Sequence, residues 1–553
     1  MDVDVVVLGT GLSESITAAA LSKAGFSVAH VDANPYYGGD EASLTLDELA
    51  AWADSHCTSS DAASPYTRSQ RAKFTSISCS SSSLAQSRQY SLSLAPTIIP
   101  SAGPLIDALI ASGVSRYGGF KLLEKVAIYD GPGSVKAVPG SKEDVFKSKE
   151  LSLVDKRRLM RFLMFASGDF ETTKEIEGKA EIPFVEFLKD AFSLDHRSAN
   201  AIAYALAFCI SPSDPTLPAL HRIKQYLRST GRYGPSPFLV GHYGGLGEIA
   251  QGFCRTAAVN GTTYILGRQI ASLERPKSDS VDERLKFKIE LEDLPEQLTC
   301  CLIVASPDYL PSQYLPGTTE ARPDDQSTTH SAHAVARCVA IIDQPISFLE
   351  SQATAIDHSA GENPYVEENE SSHAATDIDT ALLVFPPGSL PEGSATVSVN
   401  VLVAGESSMS TPRGKWALYV SMPLLDNSNR SAEELLRPYL AATLALTVQH
   451  SATTIQPLFT LFYVQHADPS SESRPDTSPV IVAPTSSRRL PENADSATIQ
   501  AEGMFWKAIR MLKASGRRPL QQRGEEESGI EDEVDVDSFW PPLDVVDDPS
   551  DDW

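Results

Sequence analysis

A βαβ unit within residues 4–32, helical spacing of apolar residues from about 142 to 233, and strand-like segments that resume after Gly234 predict an α/β fold. The expected arrangement is a Rossmann-like domain of the FAD/NAD(P)-binding type, degenerate and without cofactor, that carries an inserted all-helical domain.

The run Val5-Val6-Val7-Leu8 reads as a strand buried on both faces, residues 15–24 as an Ala-rich helix closed by Gly25, and residues 26–32 as the second strand. Residues 54–93 hold 14 serines with little periodicity and are expected to be a mobile insertion, because so little apolar surface does not offset chain entropy. Apolar clusters at Leu159, Phe162, Leu163 and Phe165, at Phe184, Phe187, Leu188 and Phe192, and at Ile202, Leu206 and Cys209 mark helices. Strand patterns follow at 285–291, 300–305, 380–385, 396–403, 416–422 and 458–464, separated by Ser-, Pro- and acid-rich stretches at 315–332, 352–378 and 467–499 that read as surface loops. The expected division is 1–141 and 231–515 for the two segments of the Rossmann-like domain, 142–230 for the helical insertion, and 516–553 for a disordered acidic tail.

Composition narrows the function. Across 553 residues, 46 basic side chains face 72 acidic ones, a formal charge of -26 that excludes nucleic-acid binding through phosphate contacts. Thirteen of the acids fall in residues 524–553, which carry no base, so the folded body is only mildly acidic. Seven scattered cysteines without a C-x-x-C pair, and dispersed histidines, point to a reduced intracellular chain with no metal site and no Ser-His-Asp constellation. The longest apolar run, 201–210, is too short to cross a bilayer, so a cytoplasmic protein is expected, with membrane contact only through a partner.

The chemistry-bearing motif is Gly9-Thr10-Gly11-Leu12-Ser13-Glu14, placed between strand and helix as a dinucleotide loop would be, with Asp32 closing the next strand. Glu14 stands where the third glycine belongs. A carboxylate in the first helical turn satisfies the helix dipole and repels a diphosphate, so the fold is expected to survive as scaffold. Without a ribose to bind, Asp32 is expected to cap the turn into Asn34-Pro35. Tyr36-Tyr37-Gly38-Gly39 then pairs two aromatics with two glycines, one ring suited to the core and the other to core or recognition.

The run from Val5 through Glu14 to His30-Val31-Asp32 and Tyr36-Tyr37-Gly38-Gly39 closely resembles the N-terminus of the Rab GDP dissociation inhibitor and Rab escort protein superfamily, in which glutamate replaces the third glycine. A second run, Arg232-Tyr233-Gly234-Pro235-Ser236-Pro237-Phe238-Leu239 with Tyr243-Gly244-Gly245-Leu246-Gly247-Glu248 and Gly252-Phe253-Cys254-Arg255, is similar to that family's second signature and continues to Gly261-Thr262-Thr263-Tyr264. One departure is the pair Gly245-Leu246, where the family usually has a single residue. The resemblance implies a non-catalytic binding protein for GDP-bound Rab GTPases, facing them with Tyr37, Glu248, Arg255, Thr263 and Ile265. Chain length, the serine-rich insertion after Trp52 and the doubled tyrosine look more like the escort branch, which presents unprenylated Rab to the Rab geranylgeranyltransferase heterodimer. The inhibitor branch, recycling prenylated Rab, is the alternative, and a flavin-dependent oxidoreductase the more remote one.

Within that resemblance, Arg157, Arg161, Phe162 and Phe165, in a helix with Lys156 and Arg158, lie where the transferase would dock, or else form a solvated face over a core stripe. The apolar helices of 184–210 would shelter the geranylgeranyl lipid, or simply pack a core. In the tail, Phe539-Trp540-Pro541-Pro542-Leu543 is an aromatic island in an anionic run, read either as solvated chain, as a docking motif or as an electrostatic screen.

Overall fold

Strands whose every side chain is apolar need cover on both faces, and Val5–Leu8 obtains it at the centre of a five-stranded parallel sheet. Thr263–Leu266 and Val28–Asp32 lie on one side of it, Leu302–Ala305 and Val480–Val482 on the other. The computed structural model describes the chain except residues 59–63, 82–83, 139–151, 276–285, 316–333, 347–377, 427–428, 447–454, 468–477, 485–486, 488, 520–535 and 542–553. The opening helix, Leu12–Lys23, packs one face of this sheet between two further helices, the platform helix Leu246–Val259 and the last helix Asn493–Ala514. A three-stranded antiparallel meander, Ile270–Glu274, Phe287–Leu291 and Leu298–Cys300, covers the other face.

A second sheet of eight strands is built largely from the strand patterns after Gly234, with residues 125–137 and Phe74–Cys79 at its two edges. Its central strand Ala334–Ile342 divides by alternation: Val339 and Ile341 enter the core shared with the helical region, while Ala336, Cys338, Ala340 and Ile342 face the helix Ala432–Leu444. The helices Leu153–Ser167, Phe184–Phe192, His196–Asn200 and Thr216–Ser229 pack on the first of these faces. Ser152 and Asp195 cap two of them by accepting from backbone N–H groups of the first turn. Phe162, Phe165, Phe170, Phe184, Phe187 and Phe192 pack ring on ring through the interior of this region, mostly edge to face or tilted, with Phe184 and Phe187 nearly parallel.

Three expectations need correction. The serine-rich stretch 54–93 is folded over most of its described length: Pro65–Lys73 is a helix capped by Ser64, and Phe74–Cys79 pairs with Phe459–His466 as an edge strand. The stretch buries Phe74 and Lys73 by using partners far along the chain, Tyr463 for the ring and Asp40 and Asp308 for the ammonium. Within 467–499, Val480–Val482 completes the parallel sheet and the last helix begins at Asn493, so this stretch is a structural edge as well as a loop. In the tail, residues 536–541 lie against the folded body, while 520–535 and 542–553 fall outside the described residues.

Candidate partner-binding surface

The loop after the first strand is where a dinucleotide would meet backbone N–H groups. Gly9 has φ +96°, and a β-carbon there would stand 3.1 Å from the Tyr309 ring. At Gly11 a β-carbon would stand 2.6 Å from Glu14 Oε2 and 3.3 Å from Glu41 Oε2, so two carboxyl groups close over the loop. Burial, with the Glu41 carboxylate nearby, pushes the Glu14 carboxyl up to about 8. Glu14 is therefore mostly protonated at neutral pH, and it excludes a diphosphate by filling space rather than by the charge repulsion expected from sequence. Asp32 accepts from Thr10 N (2.8 Å), Thr10 Oγ1 (2.6 Å), Asn34 N (2.7 Å) and Tyr309 Oη (2.7 Å), so both carboxylate oxygens are already engaged by protein donors. The bond from Asn34 N is the turn cap anticipated for Asp32.

The remaining cavity, walled by Glu14, Asp40, Glu41, Lys73, Arg337 and Tyr309 among others, holds about 90 Å³. Ligand sites for molecules of cofactor size usually run to about 300–1,000 Å³. Lys73, paired with Asp40 at 2.9 Å and with Asp308, blocks further room. The residues present do not fit a flavin or nicotinamide dinucleotide.

The two sequence motifs, some two hundred residues apart, meet backbone to backbone. Gly38 has φ +101°, and a β-carbon there would stand 3.0 Å from Gly247 Cα. A β-carbon at Gly247 would in turn stand 2.4 Å from Ser43 N. Tyr243, Gly244 and Gly245 all have positive φ, so the chain turns tightly through the extra residue of the second motif and delivers Leu246 into the first turn of the platform helix. The helix face so positioned carries Glu248 and Arg255, two turns apart and about 10 Å along the axis. Glu248 is half-buried and burial raises its carboxyl. Arg255 is exposed, its guanidinium 4.5 Å above the Tyr117 ring.

Tyr37 is half-buried and meets Tyr264 edge to face at 5.9 Å. Tyr264 also approaches His30 Nδ1 at 3.3 Å and hydrogen-bonds Cys254, which ties the edge strand Thr263–Leu266 to the platform helix. Thr263 is exposed on that strand, whereas Ile265 turns mainly toward the core beneath the meander. Tyr117 and Tyr264 were missed in sequence; only the alternation of Thr263, Tyr264 and Ile265 signals that Tyr264 faces the other way. Tyr243, 46% exposed, was not singled out either.

The proposed docking residues separate. Arg157 and Arg161 are exposed on the helix Leu153–Ser167, with Arg161 5.4 Å above the Phe192 ring. Phe162 is fully buried and Phe165 half-buried, so Phe162 is a core residue and is withdrawn as a contact for a partner. Its place on the solvent face is taken by Met164, 62% exposed, which follows Arg157 and Arg161 at helical spacing. Among the described residues no group of three or more His, Cys, Asp or Glu is placed to hold a metal, and no helix is long and apolar enough to cross a membrane.

Residues 1–357 match the family model described as GDP dissociation inhibitor. The "Rab proteins geranylgeranyltransferase component A" of Saccharomyces cerevisiae is 30% identical over 419 residues, covering 76% of this chain and 61% of that protein. The Drosophila melanogaster protein of the same name is 35% identical over 56% of this chain and 60% of its own length. This chain thus spans about three fifths of either relative. "Rab escort protein 1" of Arabidopsis thaliana is 28% identical and matches over 78% of both chains. Among solved structures, the Rab GDI of Plasmodium falciparum superposes with a TM-score of 0.62 at 20% identity, over 92% of this chain and 98% of that one. An oxidoreductase from Methanosarcina mazei reaches 0.54 at 15% identity, over 91% and 100%. Both likenesses establish the shared Rossmann-type fold. With nearly two thirds of its length matched by the family model and both motifs assembled into one surface, the chain belongs to the GDP dissociation inhibitor family.

Proposed function

We propose that this chain is a non-catalytic Rab chaperone of the escort type. It binds newly made, GDP-bound Rab GTPases, presents them to the Rab geranylgeranyltransferase heterodimer for prenylation of their C-terminal cysteines, and accompanies the prenylated product from the cytoplasm to membranes. The observation that carries this reading is the meeting of the two motifs at Gly38 and Gly247, which joins the loop bearing Tyr37 to the helix bearing Glu248 and Arg255, and through that helix to the edge strand that begins at Thr263. The names of the yeast, fly and plant relatives support the escort branch. Arg157, Arg161 and Met164 are the face offered to the transferase. The geranylgeranyl chain enters the helical region by displacing part of its phenylalanine packing.

The test is geranylgeranyl transfer onto an unprenylated Rab by the transferase heterodimer with and without this chain. Strong dependence on the chain is expected. No stimulation, together with extraction of prenylated Rab-GDP from membranes, would replace the escort reading by the inhibitor one. In the same assay Glu248→Ala and Arg255→Ala each weaken Rab binding by about 2 kcal/mol, roughly thirtyfold, without lowering thermal stability. Wild-type affinity in both variants would place the Rab contact elsewhere.

A further inference from the structure

Residues 536–541 are the one described part of the chain beyond residue 519, and they sit on the folded body by apolar contact. Trp540 stacks on Phe253 of the platform helix at 5.9 Å and 25°. Phe539 meets Phe505 of the last helix at 5.2 Å and Trp540 at 4.8 Å. Val536 packs on the cluster around Phe505, Ile509 and Leu512, whereas Phe539 and Trp540 also reach the cluster around Phe253 and Ala497. The segment therefore bridges the last helix to the platform helix. Trp540 Nε1 is buried and has no hydrogen-bond partner among the described residues. Such an orphaned donor weakens the contact, as suits a ligand that leaves and returns.

We propose that residues 536–541 are a self-docking motif: a Phe-Trp peptide with acidic flanks, bound in cis and reversibly in a groove between the platform helix and the last helix. The last helix ends at Ala514, so some twenty residues separate it from Val536. Tethering holds the motif at an effective concentration on the order of millimolar, enough to keep a weak site filled. The motif touches the buried side of the platform helix and leaves Arg255 exposed, so it clamps the helix that carries the Rab-facing residues and does not block them.

The test needs no GTPase and so stands or falls separately from the escort reading. A fluorescein-labelled peptide of residues 534–543 is titrated into the full chain and into the full-length F539A/W540A variant. The vacated variant is expected to bind it saturably, at least tenfold more tightly than wild type does and at least tenfold more tightly than it binds the same peptide lacking both aromatics. Equal binding to wild type and variant, or binding indifferent to the two aromatics, overturns the proposal. Hydrogen exchange supplies a second measurement: amides of the platform helix exchange severalfold faster in the variant and recover with added peptide, while those of Leu153–Ser167 do not change. Unchanged exchange in the platform helix would overturn the clamping role.

Discussion

Replacing Glu14 by glutamine isolates the energetic consequence of putting a carboxyl where a dinucleotide loop has glycine. The group is fully enclosed, and burial together with Glu41 raises it from 4.5 to about 8. A carboxyl raised on folding binds a proton as the chain folds, so its stabilising protonated form is fully present below 4.5 and is lost as pH climbs toward 8. At about 1.4 kcal/mol per pKa unit, the whole gap is worth roughly 5 kcal/mol above pH 9 and roughly 3 kcal/mol at pH 7. Glutamine keeps the shape of the neutral acid and does not ionise. The variant should therefore match wild type near pH 4, exceed it by up to about 3 kcal/mol at pH 7, and exceed it further at pH 9. Urea unfolding followed by tryptophan fluorescence at several pH values between 4 and 9 measures this, and taking the difference between the two proteins cancels the titrating groups that do not interact with Glu14. Parallel pH profiles would refute the argument, since they would mean that Glu14 is already ionised in the folded chain.

Gly247→Ala should push the platform helix off Ser43 and weaken Rab binding at least tenfold, while costing about 1–3 kcal/mol of stability; native affinity would show that the meeting of the motifs is not what positions Glu248. Phe162→Ala should cost about 3–5 kcal/mol in thermal unfolding, whereas Met164→Ala should stay within about 0.5 kcal/mol and instead weaken transferase binding. The reverse pattern would restore Phe162 as a docking residue. Lys73→Met should destabilise by about 3–5 kcal/mol, because Asp308 is then buried without its cation, and adding Asp308→Asn should recover part of the loss. A double variant no more stable than the single one would refute the pairing.

Local signals carried the first unit well. The apolar run of the first strand, the glycine loop and Gly25 lie within thirty residues of one another, and the βαβ unit needs little else. The serine-rich stretch misled because its order is not local. Phe74–Cys79 is an irregular edge strand in which only Phe74 is buried, and the partners that hold Phe74 and the neighbouring Lys73, Tyr463 and Asp308, are more than two hundred residues away. Composition alone cannot register such partners. Phe162 is a different case. Leu159, Phe162, Leu163 and Ala166 share one side of their helix, while Arg157, Arg161 and Met164 share the opposite one, so the 3.6-residue period already separated the core ring from the basic face. The solvated face over a core stripe that the sequence also allowed is what Phe162 supports.

The closed nucleotide loop is also the support on which the partner surface stands. Thr10 Oγ1 donates to Asp32 at 2.6 Å and accepts from Gly38 N at 3.0 Å, and the same Gly38 N lies 3.1 Å from the Thr10 carbonyl. Gly38 is the residue that touches Gly247, and its neighbour Tyr37 packs on Tyr264. A chain of short contacts thus runs from the former ribose-binding aspartate through Thr10 to the tyrosine loop and on to the platform helix. In a working dinucleotide site those groups would have to remain open to a ligand. Here Glu14 and Glu41 seal the crevice from the phosphate side, and the bonds that a cofactor would have claimed hold the tyrosine loop in place. The groups that close the nucleotide loop and those that hold the tyrosine loop against the platform helix are consequently one connected set, with Asp32 and Thr10 at one end of it and Gly247 at the other.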